Sequence, residues 1–362
     1  MVDTMALLPS FIRPTRMAKR SAHLVPGLGP AGDEAVLDAP DDRLSPALVA
    51  AGRGEYEAAA ALLAATRAAA AWENHDRYVR RLAAFARSRP EWFEAWCGDA
   101  PGDPGALLVG AQLAVDRVWP SPARAELLRE VSPLITAAAR ADDRDPVPWR
   151  IALDHARGSR AGHRYFEELW EAAVRRAPHH YGCHVAALRY LADCCCVLWG
   201  DAPHTPRASH RECFDFADRA AQDAPADSLV QALPVRAALG YLTDGCGPEI
   251  PRARLDAAAD RALELSARFP AADPWPAQIR NKLLYVLLRL DRREDARAQL
   301  RLIGPYATSF PWDRFSDDPL GHFLRLREHL LTAAAGPVPA RLPAWLTGPP
   351  GERGGHADAG DH

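Results

Sequence analysis

Punctuation that recurs between helical stretches constrains this chain more than any other feature. Asp145-Pro146-Val147-Pro148-Trp149 opens one pair of helices and Asp273-Pro274-Trp275-Pro276 opens another, with Ala177-Pro178 and Ala224-Pro225 marking comparable breaks between them. Proline suits the first turn of a helix, where its missing N–H has no partner to lose, and it stops a helix that runs into it. A helical unit that repeats specifies an architecture before any chemistry, because each pair must bury its apolar face on the next. Composition agrees: about one residue in five is alanine, the strongest helix former, while isoleucine and threonine are sparse. The expectation is an all-α chain, an α-solenoid of degenerate helix-turn-helix pairs. No motif fixes a reaction.

Residues 1 to 43 show no sustained period and read as a flexible lead-in; Met1, Met5 and Met17 all lie there, which leaves the start codon open. Residues 44 to 335 carry the helical pairs, and residues 336 to 362, rich in proline and glycine, read as a disordered tail. Within the array, Leu44 to Ala71 reads as a first pair closed by Gly52 and Gly54. A helix from Trp72 to Ser88 follows, stopped by Arg89-Pro90. Further pairs fall at 104–118 with 122–140, 146–156 with 162–176, 179–199 with 211–222, 228–242 with 252–269, and 274–290 with 292–303, and a helix over 320–335 caps the last apolar face. Phe166, Leu169, Trp170, Ala173 and Val174 recur at i, i+3, i+4, i+7 and i+8, the clearest amphipathic stripe in the chain.

Charge excludes some functions. Forty-four Lys and Arg face 47 Asp and Glu, a formal net charge of -3, and no basic block stands apart to track a phosphate backbone. Direct nucleic-acid binding is therefore not expected. Lys19 and Lys282 are the only lysines, an arginine bias that reads as the codon usage of a GC-rich genome. Seven cysteines, three of them consecutive at Cys194, Cys195 and Cys196, do not form a secreted disulfide framework. With no run long enough to span a membrane, a cytoplasmic protein is expected.

Two segments resemble the tetratricopeptide repeat. Gly54, Tyr56, Ala59 and Leu63 match its order of small residue, aromatic and helix-crossing alanine, and Leu283, Leu284, Leu287, Ala296 and Leu300 match its spacing. Between them, Trp96, the Pro101 break, Asp145-Pro146 with Trp149, Trp199-Gly200, Phe214 and Ala224-Pro225 resemble uncharacterised bacterial tetratricopeptide-like domains. The Trp-Leu-Gly-Tyr signature of the repeat's first helix is absent. The resemblance implies stacked helix pairs and a groove that takes a protein or peptide; it carries no catalytic residue across.

Several residue groups suggest chemistry. His180 and His184 are four apart on a helix, Cys183 lies between them on the same face, and His204, His210 or Cys213 follow in the next loop and helix. Two imidazoles and a thiolate suit zinc, so a metal-dependent enzyme or accessory site built on His180, His184 and Cys213 is the alternative reading; the simpler one is solvent-facing histidines and buried thiols. Consecutive cysteines point about 100° apart and do not converge. Gly27-Leu28-Gly29-Pro30-Ala31-Gly32 spells a dinucleotide fingerprint without the βαβ context that gives it meaning. The Asp pairs at 41–42, 142–143 and 317–318 fall at helix boundaries, where aspartate caps. The ten tryptophans read as wedges between repeats or as anchors along a concave groove, with arginines beside them. Trp149, Arg150, Arg189, Trp275 and Arg280, at first helices of pairs, are the partner-binding candidates. The leading expectation is a non-enzymatic scaffold for a protein or peptide, with no cofactor.

Overall fold

The computed structural model describes residues 35–192, 209–244 and 249–332. Almost all of its regular secondary structure is helical. In chain order the elements are β1 (Val36–Leu37), α1 (Leu44–Ala51), α2 (Glu57–Ala68), α3 (Trp72–Ser88), α4 (Glu91–Asp99), α5 (Pro104–Val118), α6 (Arg124–Ala141), α7 (Val147–Gly158) and α8 (His163–Arg176). They continue with α9 (Tyr181–Ala192), α10 (His210–Asp223), α11 (Leu233–Asp244), α12 (Arg252–Ala267), α13 (Ala277–Arg289), α14 (Arg293–Ile303), β2 (Tyr306–Ala307), α15 (Ser309–Trp312) and α16 (Pro319–Thr332). The single helix expected over 228–242 is divided: Leu229–Ala232 forms a 3₁₀ turn, with Ser228 Oγ accepting the Val230 N–H, before α11 begins.

Two rows organise the array. The odd-numbered helices α3, α5, α7, α9, α11 and α13 pack one on the next, and each even helix from α6 to α12 lies against the two odd helices that flank it. Burial follows this division. Every residue of α7 except Trp149 is buried, as are most of α9 and α13, whereas α8 buries one stripe built on Phe166, Leu169 and Ala173. A helix buried all round belongs to an interior, and a striped one to a surface. The apolar core runs through both halves, with Leu191 and Phe216 packed against each of its two clusters.

Order begins before the lead-in was expected to end. β1 pairs in parallel with β2, Val36 opposite Tyr306 and Leu37 opposite Ala307. The Asp38 carboxylate accepts from Ser309 N at 3.0 Å and from Ser309 Oγ, while its carbonyl takes Arg81 of α3. Asp41 accepts the Leu44 N–H at 2.9 Å and the Tyr78 hydroxyl at 3.0 Å, so this carboxylate starts α1, as an aspartate at a helix boundary should. Arg77 of α3 donates to Pro274 O at 3.1 Å and lies 5.0 Å above the Trp275 ring. The first and last parts of the array therefore touch. The cysteine triplet, His204, Trp199-Gly200, the glycine motif at 27–32 and residues 336–362 lie outside the described residues.

Candidate functional site

Polar side chains gather where the inner row should be driest, around Asp76 of α3. Arg150 of α7 is fully buried; its Nε donates to Asp76 Oδ1 at 2.9 Å and its Nη2 stands 2.7 Å from the same oxygen. Its Nη1 donates to Gln112 of α5 and lies 3.5 Å from Asp154 Oδ2. Arg80 reaches Asp76 at 3.3 and 3.4 Å, Gln112 hands on to Asp116 at 2.6 Å, and Arg189 of α9 lies 3.9 Å from Asp154. Four helices, α3, α5, α7 and α9, are thus joined by buried charge-assisted contacts. Burial alone would raise the Asp76 carboxyl, but Arg150 and then Arg80 outweigh it and hold it well below the usual range. Burial likewise opposes ionisation of Asp154, and Arg189, Arg157 and Arg150 bring it down to about 2.

The start of α9 completes this cluster. His180 is buried, its Nδ1 is 3.1 Å from Cys183 Sγ, and its Nε2 stands 3.9 Å from both Glu73 Oε2 and Asp76 Oδ2 without a hydrogen-bond partner. Tyr181 N donates to Glu73 Oε1 at 2.6 Å, so a carboxyl from α3 takes one of the N–H groups that a helix start leaves over. Glu73 is half-buried, with 31% of its side-chain surface accessible. Burial pushes its pKa up to about 8 and lowers that of His180 to about 4. Gly182 is where α9 comes closest: a Cβ there would overlap Asp76 Oδ2.

The sequence candidates divide accordingly. Arg150 and Arg189 sit in the interior network and present no surface to a macromolecule. Arg280 is fully buried too. It donates to Ser266 O and Phe269 O, both at 2.9 Å, at the end of α12, to Ser266 Oγ at 3.1 Å, and to Leu302 O at 2.8 Å at the end of α14. One guanidinium therefore closes the carbonyl ends of two helices, where positive charge is favoured. Trp275 is half-buried beneath Arg77. His184 bonds through Nδ1 to His180 O at 3.0 Å and meets the Trp170 ring edge-on at 5.0 Å. Cys213 is buried in the apolar core beside Phe214 and Ala217. His180, His184 and Cys213 form no metal-holding group; among the described residues no three His, Cys, Asp or Glu side chains do.

Trp149 lines an open groove. Helices α6 and α8 both lean on α7 and leave part of it uncovered. Ser132, Ile135, Thr136, Ala139 and Arg140 follow one ridge of α6 and form one wall. Pro148, Trp149, Ala152 and His155 of α7 form the floor, and Tyr165 and Leu169 of α8 the other wall. The trough encloses about 300 Å³, the low end for a pre-formed site. Tyr165 is 44% exposed, and Leu134, on α6, 45%; only three other large apolar side chains are as open among the described residues. Arg176 lies 4.3 Å over the Trp149 ring, held by Asp143 O at 2.6 Å and Ala172 O at 2.8 Å, with the Asp143 carboxylate also acting on its charge. The Trp149 indole N–H has no partner, and His155 is kept neutral by burial. Arg140 is the one charged side chain lining the trough, and it is positive.

Sequence reasoning passed over Glu73, Asp76, Gln112 and Asp154. Their signal was faint: Glu73 and Asp76 stand among the other charged residues of α3, Asp154 beside His155 and Arg157 on α7, and only Gln112 lies on a mostly apolar helix. Against protein-family models, curated proteins and solved structures, the chain matches none.

Proposed function

We propose that this chain is a tetratricopeptide-like stack of helix pairs, an α-solenoid whose two ends are tied together, and that it serves in the cytoplasm as a non-enzymatic scaffold for a protein or peptide. The α6–α7–α8 trough carries this reading. An aromatic floor and two helical walls left open to solvent match the way grooves between helices seat a partner's apolar side chains. The interior network reads as architecture, since its buried charges are spent on one another. Native mass spectrometry of the full chain, purified gently from its own host, tests the reading. A stoichiometric polypeptide is expected; a chain that carries none and binds no peptide in solution would sink it.

One observation favours a second reading, an acid–base site without metal. Half-buried Glu73, its pKa raised to about 8 by burial, stands 3.9 Å from the unpaired Nε2 of His180 beside an Asp76 held ionised by Arg150, and carboxyls pushed apart in this way are what proton-transfer sites use. A small molecule co-purifying in place of a polypeptide, lost in Glu73→Gln, would move the assignment there.

A further inference from the structure

We infer that the trough over α7 docks an acidic amphipathic helix of a partner protein, a reading that rests on the scaffold function proposed above and names the partner's chemistry. Shape comes first. The wall from Ser132 to Arg140 spans nine residues, about 12 Å or a little over two helical turns, and two helices flank a floor made by a third. An amphipathic helix lays i, i+3 or i+4, and i+7 anchors into such a groove. The volume of about 300 Å³ admits a few side chains and excludes a whole domain.

Charge chooses among amphipathic helices. The lining holds Arg140 and no carboxylate; Arg176, over the Trp149 ring, adds a guanidinium that the Asp143 carboxylate partly balances, so Arg140 sets the sign. A helix with glutamates or aspartates beside its apolar stripe meets both; a basic helix meets like charge at both. Trp149, half-buried on the floor, supplies the aromatic surface that such interfaces centre on. A second copy of this chain fits less well. The exposed face of α8 sets Arg164 and Arg175 among Glu167, Glu168 and Glu171, so its charge is mixed.

The test uses the full chain and two fluorescent helical peptides with the same leucine and phenylalanine anchors, one with glutamates on the polar face and one with lysines. Anisotropy should show the acidic peptide binding at least about tenfold more tightly. Arg140→Glu should weaken it about tenfold or more, whereas Arg129→Glu, exposed elsewhere on α6, should change affinity only slightly. Both sites are on the surface, so neither variant threatens folding. Equal binding of the two peptides, or equal losses in the two variants, overturns the inference. A hydrogen-exchange footprint separates the two levels: protection of α6–α8 supports the trough, and protection elsewhere overturns it while leaving the scaffold reading standing. Self-association abolished by Arg140→Glu would give the trough to a second copy and also overturn it.

Discussion

Replacing Gly182 by alanine tests whether Asp76 is pinned. The new Cβ would overlap Asp76 Oδ2, 3.0 Å from His180 Cε1 and 3.2 Å from Asp76 Cγ. The carboxylate has little freedom to retreat, because Arg150 holds Oδ1 at 2.9 and 2.7 Å and Arg80 grips both oxygens. If α9 shifts instead, the overpacking costs about 1–3 kcal/mol, and a contact inside van der Waals distance belongs at the upper end. If Asp76 leaves Arg150, a broken buried pair costs about 3–5 kcal/mol. Against either stands a gain of about 1 kcal/mol, because alanine is the better helix former. The cheaper route sets the result, a net loss of about 2 kcal/mol. Gly240, inside α11 with nothing within 4 Å of an added Cβ, is the control: there alanine should gain about 0.5–1 kcal/mol. Urea unfolding at pH 7, followed by circular dichroism, should move the two midpoints in opposite directions. If Gly182→Ala is as stable as the parent, Asp76 moves freely and the interior network does not lock α3 to α9.

Three further outcomes follow from the same geometry. Glu73 titrates at about 8 in the fold and near 4.5 when unfolded, so between those values the folded chain holds a proton that the unfolded chain has lost; its contribution is complete below about 4.5 and is lost as pH rises towards 8. Glu73→Gln keeps an acceptor for Tyr181 N, and its urea midpoint should exceed the parent's above pH 8; a parallel pH profile for the two proteins would contradict this. His180, with its pKa lowered from 6.5 to about 4, should remain neutral at pH 6 by imidazole NMR, and the stability it contributes above 6.5 should drain away as pH falls towards 4. A charged His180 at pH 6 would mean that it is not buried as described. Arg280→Met should cost about 3 kcal/mol or more by stranding buried helix-end carbonyls, and Arg280→Lys should recover only part, since an ammonium lacks the planar fork. Full recovery by lysine would show that charge alone matters there.

How far the sequence could be read depended on where information is local. The bounds of α3 and α5 were legible because Arg89-Pro90 and Asp103-Pro104 stop one helix and start another, and the stripe of α8 was legible because one face meets water. Trp149 and Arg150 show the limit. Neighbours on a helix point about 100° apart, so one faces the trough and the other the interior, yet α7 is buried nearly all round and its polar stripe Arg150, Asp154 and Arg157 faces inward, against the usual rule. The shared face of His180, Cys183 and His184 was also visible in the spacing. What each ring then does, one against carboxylates and the other against Trp170, depends on helices more than 10 residues away. The β1–β2 pair left no trace, since two-residue strands some 270 positions apart carry no alternation.

That short pair changes how the array should come apart. In an open row of repeats each end unravels by itself, and stability is a sum over neighbours. Here loosening β1 and releasing the segment after α14 must break the same ladder and the same Asp38–Ser309 bonds, while Arg77 of α3 stays stacked on Trp275 just before α13. The two ends then exchange their amide protons in step, as one cooperative unit rather than two, and a cut placed in an exposed loop of the middle would leave both halves fastened through their far ends.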